Sequence, residues 1–308
     1  MSLIDLHQHS LHSFDATGLP SQRLRGAFER GMRAIAITDH NSVESINELS
    51  DWVGMYPTVD VIPGCEFDAW HSEIGTLHYV ALGFKQDDAG VRLLCERYLH
   101  RTYNIVDSLI RVATKVKPDL TRKDVMKAAI EGGYKRLIPY HVMMALYYMR
   151  VPNDEIYDLF REVMPKEIAG WLPSFQELVD TVHEAQGLVA IAHPGRYPRD
   201  CPVMGMGQVG PPPGLPEDKL IQLFNAGVDA LETNQPSNMG KNEIFDAYAK
   251  KHGWPRSGGT DYHGWDIPEV QTLTAWLPET PAEYLDELDA ASVKRHGARM
   301  NRLVTPTE

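Results

Sequence analysis

Histidine and carboxylate residues recur at the ends of short apolar runs along all 308 residues of this chain. His7 and His9 follow the first run in DLHQHS, with Asp15 close behind, and Asp39 and His40 close the second in TDHN. Glu66 follows the third, His193 the fifth (HPGR), Glu232 the sixth, and Asp261 with His263 the last (TDYHG). Imidazole nitrogens mixed with carboxylate oxygens suit Mn²⁺, Fe²⁺ or Zn²⁺, whereas clustered thiolates would point to structural zinc. Two histidines spaced as His7 and His9 project to one face of a strand, so both can reach one ion. A lone pair of this kind is weak, but six clusters of the same chemistry point to a metal centre. His78 stands apart because it opens its run (LHYVALGF) instead of closing it. Its strand is expected to run the other way or to meet the site differently.

Other side chains near these motifs have narrower readings. Asp39 is placed to orient His7 or His9 from behind, to act as a general acid, or to make a structural hydrogen bond. Glu232 is expected behind the ligands. Arg196, directly after His193-Pro194-Gly195, offers a fork of donors to phosphate oxygens. Cys65, beside Glu66, reads as a small buried apolar residue and not a nucleophile.

These residues need a scaffold that delivers strand ends to one rim. The apolar runs Ser2–Leu6, Met32–Thr38, Val59–Pro63, Leu77–Phe84, Leu188–Ala192, Val228–Leu231 and Arg256–Gly259 alternate with helical patterns such as Pro20–Arg30, Ser42–Val53, Ser174–Gln186 and Asn242–Lys251. Several runs lack polar alternation, as expected of strands buried on both faces. In a β/α barrel the C-terminal strand ends and their loops form the active site. The stretch 98–170 breaks the rhythm with helical patterns alone, and it is too long for a simple connection. It is expected to be a helical insertion that divides the barrel into residues 1–97 and 171–308. Pro198 to Pro216, rich in Gly and Pro, is expected to be a functional loop.

Composition narrows the partners. A net charge of −12 argues against nonspecific nucleic-acid binding, which depends on neutralising phosphates with Lys and Arg. A small phosphorylated metabolite is compatible with it, because bound metal ions reverse the local field. No apolar run approaches the roughly 18 residues that would span a membrane, and MSLIDLHQHS is not a signal peptide. Three cysteines form neither an even disulfide set nor a paired metal motif. A cytoplasmic location is expected.

Taken in order, DLHQHS with Asp15, TDHNS, GCEF, LHYVALGF, AHPGR, LET and GGTDYHG resemble the PHP (polymerase and histidinol phosphatase) metallohydrolases along the full chain. The resemblance implies a distorted (β/α)7 barrel, TIM-like, with an inserted all-helical cap and two or three divalent ions. It implies that His7, His9, Glu66 and Asp261 hold one ion. Glu66 would bridge to a second ion held by His78 and His193, and Asp15, His40 and His263 would hold a third. Asp39, Glu66, His193 and Arg196 are the implied catalytic residues. Three such ions, three carboxylates and one bridging hydroxide would leave about two positive charges, which a phosphate dianion neutralises.

The insertion resembles that of enzymes acting on nucleotide and sugar phosphates. Where those relatives show Arg-Pro-His, this chain has Pro139-Tyr140-His141, so the histidine is kept and the arginine is not. Arg136 is the substitute, with Lys135 beside it, and both are expected to bind substrate together with His141 and Arg196. The expected activity is hydrolysis of a phosphate ester on a small metabolite by the metal-bridging hydroxide. Three alternatives stand beside it: a cyclic phosphodiesterase acting on a ribose cyclic phosphate and then on the resulting monoester, a noncatalytic or proofreading module, and a histidinol phosphatase, which the large insertion disfavours.

Overall fold

The computed structural model describes residues 3–131, 136–160, 172–197, 213–264 and 279–305. Each apolar run contributes a strand, and successive side chains of one strand enter different cores. Ala34 and Ala36 join an inner cluster with Val80, Leu82, Leu188, Ala190 and Ala192. Ile35 and Ile37, with Leu77, Tyr79, Val189 and Ile191, join an outer cluster beneath the helices. That division is the period-2 geometry of a strand covered on both sides, and it explains why the runs show no polar face.

The strands are β1 (Leu3–Asp5), β2 (Ala34–Ile35), β3 (Asp60–Val61), β4 (Gly64–His71), β5 (Gly75–Leu82), β6 (Leu188–Ile191), β7 (Ala230–Asn234), β8 (Arg256–Gly258) and β9 (Thr280–Pro281). They form a four-stranded sheet of order β3-β2-β1-β9 and a five-stranded sheet of order β4-β5-β6-β7-β8. The described helices are α1 (Pro20–Glu29), α2 (Glu44–Ser50), α3 (Ala89–Ala113), α4 (Arg122–Glu131), α5 (Pro139–Tyr148), α6 (153–160), α7 (Phe175–Glu184), α8 (Glu217–Asn225), α9 (Asn242–His252) and α10 (Glu283–His296). None is long and apolar enough to cross a membrane.

The architecture is mixed α/β, and two features differ from a regular alternation of seven parallel units. Gly64–His71, which lies outside the seven apolar runs, is an eight-residue strand paired antiparallel with β5. Its outward residues Cys65, Phe67 and Ala69 enter the outer core, while Glu66 and Asp68 alternate with them. Polar residues on the inner face hide this strand from a hydrophobicity reading. The second feature is β5 itself, which runs antiparallel to both β4 and β6. That direction brings His78, near the start of its strand, to the end of the fold where the other motifs close theirs.

The two sheets touch at both edges through isolated pairings. On one edge Gln8 bridges Tyr262, and the Leu6 amide donates to Gly258 O at 3.1 Å. On the other, His40 bridges Glu66, and the Asn41 amide donates to Glu66 O at 2.8 Å. Both contacts involve the histidine and carboxylate motifs, so sheet assembly itself draws the motifs together. The first edge requires glycine, because a Cβ on Gly259 would run into the His7 backbone. At the inner cluster, α10 buries Tyr284, Leu285 and Leu288.

Residues of α3 to α6 pack around their own hydrophobic cluster, which includes Ile105, Leu109, Leu120, Val125, Val142, Leu146 and Phe160. Helix α3 begins on the outer core through Val91 and Leu94 and ends in this second cluster.

Candidate metal centre

Glu66 is fully buried, and five histidine rings surround its carboxylate. Its Oε1 lies 2.9 Å from His78 Nδ1 and 3.0 Å from His193 Nε2. Its Oε2 lies 3.2 Å from His7 Nε2, 3.3 Å from His9 Nε2 and 3.2 Å from His40 Nδ1. Asp261 Oδ1 stands 3.2 Å from His9 Nε2 and 3.5 Å from His7 Nε2. Further out, Asp15 Oδ2 is 3.4 Å from both His40 Nε2 and His263 Nε2.

The donor atoms fall into three groups whose members lie within 4.8 Å of one another: His7, His9, Glu66 and Asp261; His40, Glu66 and His78; His9, Asp15, His40 and His263. His193 reaches Glu66 beside the second group. His9 and His40 each belong to two groups, so the three groups overlap. Among the described residues, His9 Nδ1, His40 Nδ1, His193 Nδ1 and Glu66 Oε2 are buried with no hydrogen-bond partner. Orphaned buried donors and acceptors are costly, and a cation that collects His40 Nδ1 and Glu66 Oε2 would satisfy two of them. Nitrogen and carboxylate oxygen in this mixture fit Mn²⁺, Fe²⁺ or Zn²⁺.

Backbone strain marks the same place. His193 and Asp261 have φ values of 30° and 53°, a left-handed region rare for such residues. Neighbouring groups hold them there. The His193 amide donates to Glu232 Oε2 at 2.7 Å, and Ser237 Oγ donates to Asp261 Oδ2 at 2.8 Å. Glu232 also accepts from His7 Nδ1 at 2.8 Å, which leaves His7 Nε2 to face Glu66 and Asp261.

Burial and charge act against each other throughout the cluster. Burial alone would raise the carboxyl of Glu66, but His40, His7 and His78 hold it well below the usual range, and Asp15 and Asp261 are lowered similarly. Burial opposes charge on His78 as well, yet Asp68 and Glu66 push it up to about 10. His263, likewise buried, is pushed up to about 9 by Asp15 and Asp261. An ordinary histidine titrates near 6.5, and a metal ligand must be unprotonated. Ion loading at pH 8 should therefore expel protons from His78 and His263, and affinity should fall as pH drops below about 10. Calorimetric titration of Mn²⁺ at pH 8, in two buffers of different ionisation enthalpy, should find more than one proton released per chain. Release of none would contradict these raised values.

The remaining expected residues occupy varied positions. Both Asp39 oxygens accept from Ser10, one from the backbone N–H at 2.6 Å and the other from the hydroxyl at 2.8 Å. Asp39 pins the loop behind His9, and Glu232 is the carboxylate on His7. Arg196 is partly exposed, with Nη1 3.9 Å from Asp261 Oδ2, at the edge of the centre. Arg136 pairs with Glu44 at 2.9 Å and reaches Ser42 Oγ at 3.5 Å, two residues beyond His40. His141 is fully buried, and its Nδ1 accepts the Ile138 amide at 3.1 Å at the start of α5. Burial lowers it to about 4, so the ring is neutral. Cys65 is buried, and burial pushes its thiol well up, which makes it inert. Lys135 and most of the Pro198–Pro216 loop lie outside the described residues.

Sequence reading passed over Asp68, Asn41, Tyr98 and Ser237. Asp68 was the most findable, since it stands two residues from Glu66 and hence on the same strand face.

A family model for the PHP domain matches residues 5–162. The 5'-3' exoribonuclease Rnm of Escherichia coli (strain K12) is 24% identical over 290 residues, covering 90% of this chain and 90% of that protein. The 3',5'-nucleoside bisphosphate phosphatase of Chromobacterium violaceum is 24% identical over 293 residues, covering 89% and 93%. Among solved structures, a candidate metal-dependent phosphoesterase from Bifidobacterium adolescentis aligns with a TM-score of 0.66 at 21% identity, covering 94% of this chain and 96% of that one. An amidohydrolase from Chromobacterium violaceum with bound sulfate aligns with a TM-score of 0.60 at 22% identity, covering 92% and 100%. Those two likenesses concern the fold.

Proposed function

Because this chain belongs to the PHP domain family of metal-dependent phosphoesterases, we propose that it hydrolyses a phosphate monoester on a small nucleotide, on a distorted β/α barrel covered by the helical segment 98–170. The observation that carries this reading is the buried Glu66 carboxylate, shared between groups of histidine and aspartate donors with unsatisfied atoms. His7, His9, Glu66 and Asp261 would hold one ion, His78 and His193 with Glu66 a second, and Asp15, His40 and His263 a third. Bound there, divalent ions would supply Lewis-acid charge and a water of lowered pKa.

The protein's own groups do the rest. Glu232, on His7 and on the His193 amide, and Ser237, on Asp261, fix ligand orientation before substrate arrives. Arg196, at the rim, offers a planar pair of donors to phosphate oxygens. Arg136 extends from the helical segment toward the loop that bears His40 and is the second cation placed to meet an anionic substrate. His141, whose ring caps α5, supports the segment that presents Arg136. The nucleoside bisphosphate phosphatase among the relatives favours a nucleotide over a sugar phosphate.

A second reading, release of nucleotides from an RNA end, is favoured by the composition of one segment. Residues 98–170 carry twelve Lys and Arg against nine Asp and Glu, in a chain of net charge −12. Helix α5 also exposes Tyr140, Tyr147 and Tyr148. Basic and aromatic surfaces of this kind track single strands.

A panel with Mn²⁺ separates the readings: a nucleoside 3',5'-bisphosphate, a 5'-mononucleotide, a sugar phosphate, a ribose cyclic phosphate and a 5'-phosphorylated oligoribonucleotide. Phosphate release from a nucleotide, with kcat/KM at least about tenfold above the others, is expected. Preferred turnover of the oligonucleotide or the cyclic phosphate would replace this reading. On the best substrate, Arg136→Ala should lower kcat/KM at least tenfold, roughly 1.4 kcal/mol, with metal content unchanged. Wild-type kinetics in that variant would move recognition elsewhere.

A further inference from the structure

His78 is held from behind by a chain of hydrogen bonds that begins in the helical segment. Asp68 and His78 are direct partners in the antiparallel β4–β5 register. Asp68 Oδ1 lies 2.8 Å from His78 Nε2, while His78 Nδ1 lies 2.9 Å from Glu66. The two ring nitrogens therefore have separate tasks. Nε2–H donates to Asp68, and Nδ1 turns toward the donor group of His40, Glu66 and His78.

Asp68 is itself fixed on three sides. Its Oδ2 accepts from Asn41 Nδ2 at 2.8 Å and from the Tyr98 hydroxyl at 2.9 Å. The Asp68 amide donates in turn to Asn41 Oδ1 at 3.3 Å. Asn41 directly follows His40, so one small network braces two members of the same donor group.

Tyr98 gives this network its reach. It sits on α3 where that helix passes between cores: Val91, Leu94 and Cys95 belong to the outer core, and Tyr98, Ile105 and Leu109 to the helical cluster. Trp70, two residues beyond Asp68 on β4, also packs against that cluster. The strand end that supports His78 is thus attached to the helical segment at two points.

We propose that Asp68 is a positioning residue for His78 and that Tyr98 ties the helical segment to it, so affinity for the ion beside Glu66 and His78 depends on how that segment is seated. The inference rests on the metal-centre reading above. Removing a carboxylate behind a ligating histidine typically costs 10- to 100-fold in metal affinity.

Calorimetry with Mn²⁺ on the full chain provides the test. Asp68→Asn should weaken the affected ion about 10- to 100-fold. Tyr98→Phe keeps the ring in its packing and should weaken the same ion about fivefold, the worth of one hydrogen bond. Because the two residues act in series, Tyr98→Phe should have no further effect in the Asp68→Asn background. A purely structural role would instead lower the melting temperature in EDTA and leave Mn²⁺ affinity unchanged, which would overturn the proposal, as would additive losses in the double variant. Should Asp68→Asn not fold, Tyr98→Phe alone decides by its effect on affinity. Wild-type protein that binds no Mn²⁺ would remove the metal centre itself, an outcome distinct from unchanged affinity in the variants.

Discussion

Glu66→Gln should strip at least two ions from the centre and lower kcat by at least about 10³, on the order of 4 kcal/mol of transition-state stabilisation. The expectation follows from what the carboxylate touches. Both oxygens face imidazole nitrogens, two on one side and three on the other, at 2.9 to 3.3 Å. An amide of the same shape brings no negative charge and only one acceptor. Its NH₂ would point at ring nitrogens whose lone pairs are needed for cations, and no rotation of the amide avoids this, because histidines stand on both sides. Elemental analysis should find the variant with at least two fewer ions per chain than wild type. A separate melting curve in EDTA distinguishes loss of metal from loss of fold. A variant that keeps two ions and turns over within about tenfold of wild type would remove Glu66 from the middle of the centre.

Much of this centre can be read from sequence because its residues follow apolar runs. A strand needs consecutive β-forming residues, its end needs a loop, and the first polar side chains after it are delivered to the rim. His7, His40, His193 and Asp261 are all found in this way. The convergence of the runs cannot be read so directly, because it depends on pairings distant in sequence, such as Gln8 with Tyr262 and His40 with Glu66. The strand β4 was hidden for a related reason. Its inner face carries Glu66 and Asp68 where a hydrophobic pattern expects apolar residues, and function has replaced core packing there. The bracing residues are the least legible. Asp39 and Glu232 are both carboxylates that directly follow an apolar run. Only the fold shows that Ser10 occupies the first and His7 the second. His141 illustrates another limit, since its place in the sequence says nothing of the Ile138 amide that its buried ring accepts at the start of α5.

Asp15→Ala should lower kcat by about 10² while leaving two ions bound. Asp15 is the most exposed carboxylate of the centre, and it reaches its two histidines from a loop while Ser13 Oγ donates to its other oxygen at 2.8 Å. Its group shares His9 and His40 with the inner groups, yet neither Glu66 nor Asp261 belongs to it. Removing Asp15 therefore takes the sole carboxylate from one group and none from the others. With one negative charge gone and only imidazoles left, that group should lose its ion first. The inner groups keep Glu66 and Asp261 and should keep theirs. If the outer ion helps neutralise the phosphate, its loss removes an interaction that strengthens as charge develops, so kcat should fall more than KM rises. Ion counting and steady-state kinetics on one preparation settle the matter. Unchanged activity with two ions bound would make the working centre binuclear and Asp15 a residue of the loop, whereas loss of all ions would show that the three groups fill as a single unit.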